Sequence, residues 1–149
     1  MARDYFAEMY VAGMLADKGW NVYFPRRDKG FDYMISREVN GEVLVRPVQV
    51  KGLYPTAEKG DRVAYGYGGR LSLLHRDMVL VLTYFDASAV EITPQQVAYM
   101  PRSQIRARSR GGFRCVPSSL RAGKVTPRRD FVGYFGDAGL AAMEQLDWK

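Results

Sequence analysis

Three polar side chains stand where one kind of chemistry needs them: Asp32, Gln49 and Lys51. A carboxylate such as Asp32 can hold a hard divalent cation, which prefers oxygen ligands and keeps several waters. Gln49 adds a neutral amide oxygen, and the main-chain carbonyl of Val50 lies between it and Lys51. A cation held there lowers the pKa of a bound water and offsets charge on a phosphoryl oxygen. Lys51, beside that water, favours hydroxide or stabilises the negative charge of the transition state. Hydrolysis of a phosphodiester is the reaction these parts suit.

Such a site needs neighbouring strands to deliver Asp32 and the Gln49-Val50-Lys51 triplet. Phe31 to Ser36 is rich in aromatic and β-branched residues, and period-two alternation puts Asp32 and Met34 on one face, with Phe31, Tyr33 and Ile35 on the other. Asn40-Gly41 predicts a two-residue hairpin turn, so a strand from Glu42 to Lys51 returns antiparallel beside Asp32. On that strand Gln49 and Lys51 share a face while Val48 and Val50 point away. Pro47 predicts a break or a bulge in the pairing, because it has no N–H to donate. Glu8 falls in a helix from Asp4 to Lys18, closed by Gly19 and carrying an apolar stripe of Phe6, Met9, Tyr10, Gly13 and Met14.

The remaining chain supplies scaffold. Trp20 to Phe24 is a short strand, and Leu53 to Gly69, with its glycines and tyrosines, reads as a mobile loop next to the site. Met78 to Phe85 is apolar enough for a strand buried on both faces. Val90 to Thr93 is a further strand, and Ala138 to Leu146 a terminal helix. Gln104–Arg110 and Phe113–Val116 flank Gly111-Gly112 as a hairpin. That hairpin projects Arg106, Arg108 and Arg110 from one side at intervals of roughly 7 Å. The whole of residues 1–149 reads as a single α/β domain with a mixed sheet.

Charge gives the partner. The net charge is +6, and between Pro101 and Arg129 there are eight arginines and Lys124 with no Asp or Glu. A one-sided basic surface of this kind fits nucleic acid. The single cysteine, Cys115, excludes an intrachain disulfide and a cysteine-based zinc site. No apolar run approaches the roughly 20 residues that span a bilayer, and the N-terminus lacks the layout of a secretory signal, so a cytoplasmic location without membrane contact is expected. His75 reads as a surface or packing residue, and Cys115 as a small buried one.

The order of these residues resembles the PD-(D/E)xK nuclease superfamily: a helix bearing an acidic residue, an Asp at a strand start, then Glu/Asp-x-Lys on the neighbouring strand. Here those positions are Glu8, Asp32 and Gln49-Val50-Lys51. The resemblance covers residues 4–52 and, more loosely, the strand at 78–85. It implies a restriction-endonuclease-like core, a central mixed β-sheet flanked by helices. It further implies a metal-dependent endonuclease acting on DNA, with Mg²⁺ or Mn²⁺ held by Asp32, Glu8, Gln49 and the Val50 carbonyl, and with Lys51 orienting the attacking water. Arg102, Arg106, Arg108, Arg110, Arg114, Arg128 and Arg129 would then grip the backbone. Many relatives cut both strands as dimers, which implies a homodimer. Gln49 departs from the usual carboxylate, as in Mrr-like restriction enzymes and a homing-endonuclease group, and removes one negative charge from the pocket. The alternative is a catalytically inactive nucleic-acid-binding module on the same fold.

Overall fold

A computed structural model describes residues 3–27, 30–86 and 93–148. Helix α1 (Arg3–Asp17) is followed by β1 (Asn21–Tyr23), β2 (Tyr33–Val39) and β3 (Glu42–Leu53). Next come β4 (Arg62–Gly69), β5 (Val79–Phe85) and β6 (Pro94–Pro101), then β7 (Arg106–Ala107), β8 (Phe113–Arg121), β9 (Lys124–Pro127) and α2 (Gly136–Ala142). A five-stranded sheet runs β1-β2-β3-β5-β6, and only its β3–β5 pair is parallel. A second sheet runs β4-β8-β7, with β9 on the far end of β8. The chain is thus a mixed α/β protein around a central mixed sheet.

That central sheet has two different covers. On one face Ala7, Val11 and Leu15 of α1 and Leu140 of α2, with Met143, pack on Val48, Val50, Val79 and Val81. On the other, Leu80, Leu82 and Tyr84 pack on Tyr65, Cys115, Leu120 and Val125 of the second sheet. Helices therefore cover one face only. All seven residues of β5 are buried, as a strand with both faces covered requires.

The β2–β3 hairpin forms as the sequence demands. Asn40 (φ 52°) and Gly41 (φ 80°) are both left-handed, the signature of a type I′ turn whose twist matches the strands it joins. The pairing then runs without a register shift from Val39↔Glu42 to Tyr33↔Val48, through Met34↔Pro47. The break or bulge expected at Pro47 is absent. Pairing of β3 with β5 begins only at Val48↔Val79, so the proline stands just before the strand gains its second neighbour.

Several boundaries differ from the reading of the sequence. The buried face of α1 is Ala7, Val11, Ala12 and Leu15, whereas Phe6, Met9, Tyr10 and Gly13 are exposed and only Met14 of the expected stripe packs inward. Small alanines let the helix lie close to the sheet, and the larger rings are left outside. The segment expected to be a mobile loop holds β4, which pairs antiparallel with β8 through two register irregularities. Its Gly66 is a packing glycine, since a Cβ there would stand 2.2 Å from the Cys115 carbonyl oxygen. Phe31 packs in the second core, not with Tyr33 and Ile35 in the first, because β2 begins only at Tyr33. The strand expected at Val90–Thr93 lies mostly outside the described residues, and the strand seen there is β6. The terminal helix starts at Gly136 and ends at Ala142.

The C-terminus is tied down by a buried cation. Arg46, 3% exposed, donates from Nε to the Met143 carbonyl (2.9 Å) and from Nη2 to the Gln145 carbonyl (2.7 Å), with its guanidinium 5.6 Å from the Trp148 ring centroid. Trp148 in turn donates from Nε1 to the Met78 carbonyl at 3.0 Å. Arg46→Met keeps the apolar stem but leaves two carbonyls without their charged donor, each worth about 1.5–3 kcal/mol. Urea unfolding of that variant is expected to show a loss of about 3 kcal/mol with an unchanged slope.

Cys115, on β8, is buried as expected, and burial pushes its thiol up to about 12. The folded state therefore keeps its proton between about 9 and about 12 while the unfolded chain loses it. This contribution to stability is whole below pH 9 and is lost as the pH rises through that window. At pH 8 iodoacetamide is expected to leave the native protein unlabelled and to label it once it is unfolded in urea.

Candidate active site and arginine groove

Asp32 is fixed by the residues on either side of it. Gly30 has φ +105°, and a Cβ there would stand 2.8 Å from Leu73 Cγ, so the chain enters β2 through a turn that only glycine fits. Phe31 then enters one core and Tyr33 the other, and Asp32 is held between them. Its N–H donates to the Val48 carbonyl at 2.9 Å, and its Oδ2 accepts the Val50 N–H at 2.6 Å. A side chain thus satisfies the edge of β3 where β2 has ended. Because a strand residue's N–H and C=O leave from the same edge, the Val50 carbonyl projects toward the side where the Asp32 carboxylate lies.

Glu8 joins Asp32 across the α1–β2 junction. Both line a cavity of about 210 Å³, together with Tyr5, Met9, Phe24, Pro25, Phe31 and Tyr33. The Tyr33 hydroxyl donates to the Glu8 main-chain carbonyl at 3.1 Å, pinning the first turns of the helix to the strand. Burial drives the Tyr33 phenol far above its ordinary range, and the Asp32 and Glu8 carboxylates push it the same way. The phenol therefore remains a donor at any working pH, wedged beside two anions.

Gln49 and Lys51 leave β3 on the face opposite Val48 and Val50, toward the second sheet, and neither lines the Asp32–Glu8 cavity. The Gln49 side chain is 7% exposed, and its Oε1 has no hydrogen-bond partner among the described residues. A buried carbonyl oxygen left so costs roughly 1–3 kcal/mol. The Lys51 Nζ lies 5.1 Å from the centroid of the Tyr67 ring on β4. The structure therefore brings Asp32, Glu8 and the Val50 backbone to one cavity, with Gln49 and Lys51 flanking the same three-residue segment from the other face.

The oxygen donors at the cavity suit a hard cation: two carboxylates and, beside them, the Val50 carbonyl. Among the described residues no group of three or more His, Cys, Asp and Glu side chains is placed to hold a metal. The amide oxygen of Gln49, on the other face, does not join the set.

The predicted arginines divide. Arg106, Arg108, Arg110, Arg114 and Arg128 line a groove of about 760 Å³ on the second sheet, and no Asp or Glu is among its lining residues. Arg102 is not in it: Nη1 caps the Ile105 carbonyl at 2.9 Å. Arg129 is exposed elsewhere. The row expected along one strand is instead two-residue β7 followed by a turn, closed by the Arg108 N–H to the Gly112 carbonyl and the Gly111 N–H to the Arg108 carbonyl. One groove cation, Arg62, escaped the reading of the sequence, because it lies on β4 in the stretch taken for a loop; Tyr67 of the same stretch lines the groove as well. The alternation in Arg62-Val63-Ala64-Tyr65-Gly66-Tyr67 was the signal. His75 is exposed at the surface, where its Nδ1 accepts the Asp77 N–H at 3.0 Å. No helix among the described residues is long and apolar enough to cross a membrane. Comparison of the chain with protein-family models, curated proteins and solved structures finds no match.

Proposed function

We propose that the protein is a metal-dependent endonuclease of the PD-(D/E)xK kind, hydrolysing phosphodiester bonds in DNA. The observation that supports this best is the Asp32 carboxylate, seated on the Val50 N–H within the Gln49-Val50-Lys51 segment while sharing a cavity with Glu8. Glu8, Asp32 and the Val50 carbonyl would hold Mg²⁺ or Mn²⁺, whereas Gln49 lies on the other face of β3, outside that cavity. Such an ion, when bound, supplies an activated water and neutralises phosphoryl charge. Tyr33 holds the helix that carries Glu8 against the strand next to Asp32. Lys51 rests on the Tyr67 ring at the other face of β3, and its ammonium would have to leave that ring to reach the phosphoryl oxygen or the water. The arginine groove draws in the polyanion.

The test is nicking of a supercoiled plasmid and of single-stranded circles in Mg²⁺ and Mn²⁺, with the Asp32→Asn protein as control. Cation-dependent cleavage that disappears in the variant is expected. Equal cleavage by wild type and variant, or none in either metal, would remove the proposal. A second reading, a non-cleaving nucleic-acid-binding module, draws on the neutral Gln49 and on there being only two carboxylates at the cavity among the described residues. Tight binding without cleavage in Mn²⁺ would select it. A homodimer would serve cleavage of both strands, and sedimentation of the protein with and without DNA tests that.

A further inference from the structure

The groove on the second sheet is lined along β4 by Ala64, Gly66 and Gly68, which leave it open, and by Tyr65 and Tyr67, which also pack against the inner core. Its walls and ends are arginines: Arg62 from β4, Arg106, Arg108 and Arg110 from the β7 arm, Arg114 from β8, and Arg128. Arg106 and Arg114 are direct cross-strand partners. Like charges placed opposite each other destabilise a sheet, and among the described residues no carboxylate lines the groove to offset them. The surface is thus arranged at some cost to the fold, and a bound polyanion removes that cost.

Two features narrow the polyanion. The site is concave, and its volume is that of a cleft for a few monomer units, not of a convex ridge that enters the groove of a duplex. It also holds a fixed flat cation. The Arg128 guanidinium rests 5.3 Å from the Phe131 ring centroid and donates from Nη1 to the Val116 carbonyl at 2.8 Å. Bases stack on such arginine planes and on aromatic rings only when unpaired. In a duplex they are already stacked on each other.

We propose that this groove binds one unpaired polynucleotide strand, its phosphates on the arginines and a base against the Arg128 plane, and that it leads the strand toward Lys51. Tyr67 makes the connection, since it lines the groove and carries the Lys51 ammonium on its ring. The binding stands on the groove alone. Only the fate of the strand rests on the nuclease reading above.

The experiment uses fluorescence anisotropy in EDTA with a 12-nucleotide homothymidine strand, a homouridine strand and a 12-base-pair duplex. The Asp32→Asn protein is included so that binding is measured apart from cleavage. One or both single strands should bind at least tenfold more tightly than the duplex, and the two strands together show whether the 2′-hydroxyl matters. Each phosphate contact contributes about −0.7 to the slope of log K against log salt, so six arginines set a ceiling of roughly −4. Arg62→Ala should weaken strand binding about fivefold and flatten the slope by about one contact, and Arg106→Ala/Arg108→Ala by about two. Both sites are exposed, and far-ultraviolet circular dichroism checks that the fold is intact. Duplex binding as tight as single-strand binding, an affinity indifferent to salt, or an unchanged Arg62→Ala protein would each overturn the proposal. Strand binding without cleavage in any metal would sink the nuclease reading and leave the groove. Duplex cleavage without strand binding would do the reverse.

Discussion

Replacing Asp32 with Asn is expected to lower cation-dependent cleavage by roughly 10³-fold or more while leaving the fold in place. The asymmetry follows from the two tasks of the carboxylate. Its Oδ2 accepts the Val50 N–H at 2.6 Å, and an asparagine amide oxygen in the same rotamer still accepts that bond. The change forfeits only the charge assistance, about 1 kcal/mol, or a drop in Tm of about 2–4 °C for a domain of this size. The proposed chemical task would have no such substitute, because among the described residues Glu8 is the only other carboxylate lining the cavity. Calorimetry separates the two. If the proposed site binds the ion, Mn²⁺ at a hundredfold excess over its Kd should stabilise the wild type by about 2.7 kcal/mol. The variant should show no cation-dependent rise in Tm. A variant that kept both the rise and the cleavage would remove Asp32 from the site.

The sequence made the strands more legible than the helix face. Asn40-Gly41, the unbroken apolar run of β5 and the alternation around Gln49 are local signals, and each is realised because local geometry and global burial agree there. The stripe on α1 failed for a reason of size. Phe6, Met9 and Tyr10 are the bulkier set, but Ala7, Val11 and Leu15 are the set that lets a helix lie close to a flat sheet. Spacing alone does not choose between two apolar faces of one helix.

The stretch 53–69 failed for a different reason. Glycines at Gly60, Gly66, Gly68 and Gly69 resemble punctuation, yet Gly66 is present because β8 passes too close for any Cβ. Only the partner strand, about fifty residues later, reveals that. The same long-range pairing hid Arg62 from the basic set, which the sequence confined to residues 102–129. Of the candidate site, the nearness of Asp32, just ahead of β2, to the Gln49-Val50-Lys51 segment of β3 was legible, but not that Gln49 and Lys51 would face away from the Asp32 cavity. That the carboxylate would sit on the Val50 N–H, and that Glu8 would line the same cavity, needed the packing of α1 on β2.

Lys51→Ala is the second large effect, expected at about 10²-fold or more in cleavage. The lysine rests on Tyr67 in this structure, and a partly exposed cation–π contact is worth only about 0.5–1 kcal/mol. A phosphoryl oxygen or a nascent hydroxide offers more, so the ammonium can leave the ring for the reacting group without straining the fold. Stability of the variant should therefore change by less than about 1 kcal/mol, and its Mn²⁺-dependent rise in Tm should be retained, in contrast to Asp32→Asn. The pH–rate profile then tells which task the lysine performs. If it assists formation of hydroxide, raising the pH restores part of the lost rate, because solvent supplies what the lysine did. If it stabilises charge on the phosphorus centre, the deficit is the same at every pH. Lys51→Met, which keeps the apolar stem against the second sheet, should match Lys51→Ala in rate. A methionine variant as active as the wild type would assign Lys51 a packing role on Tyr67 and nothing more.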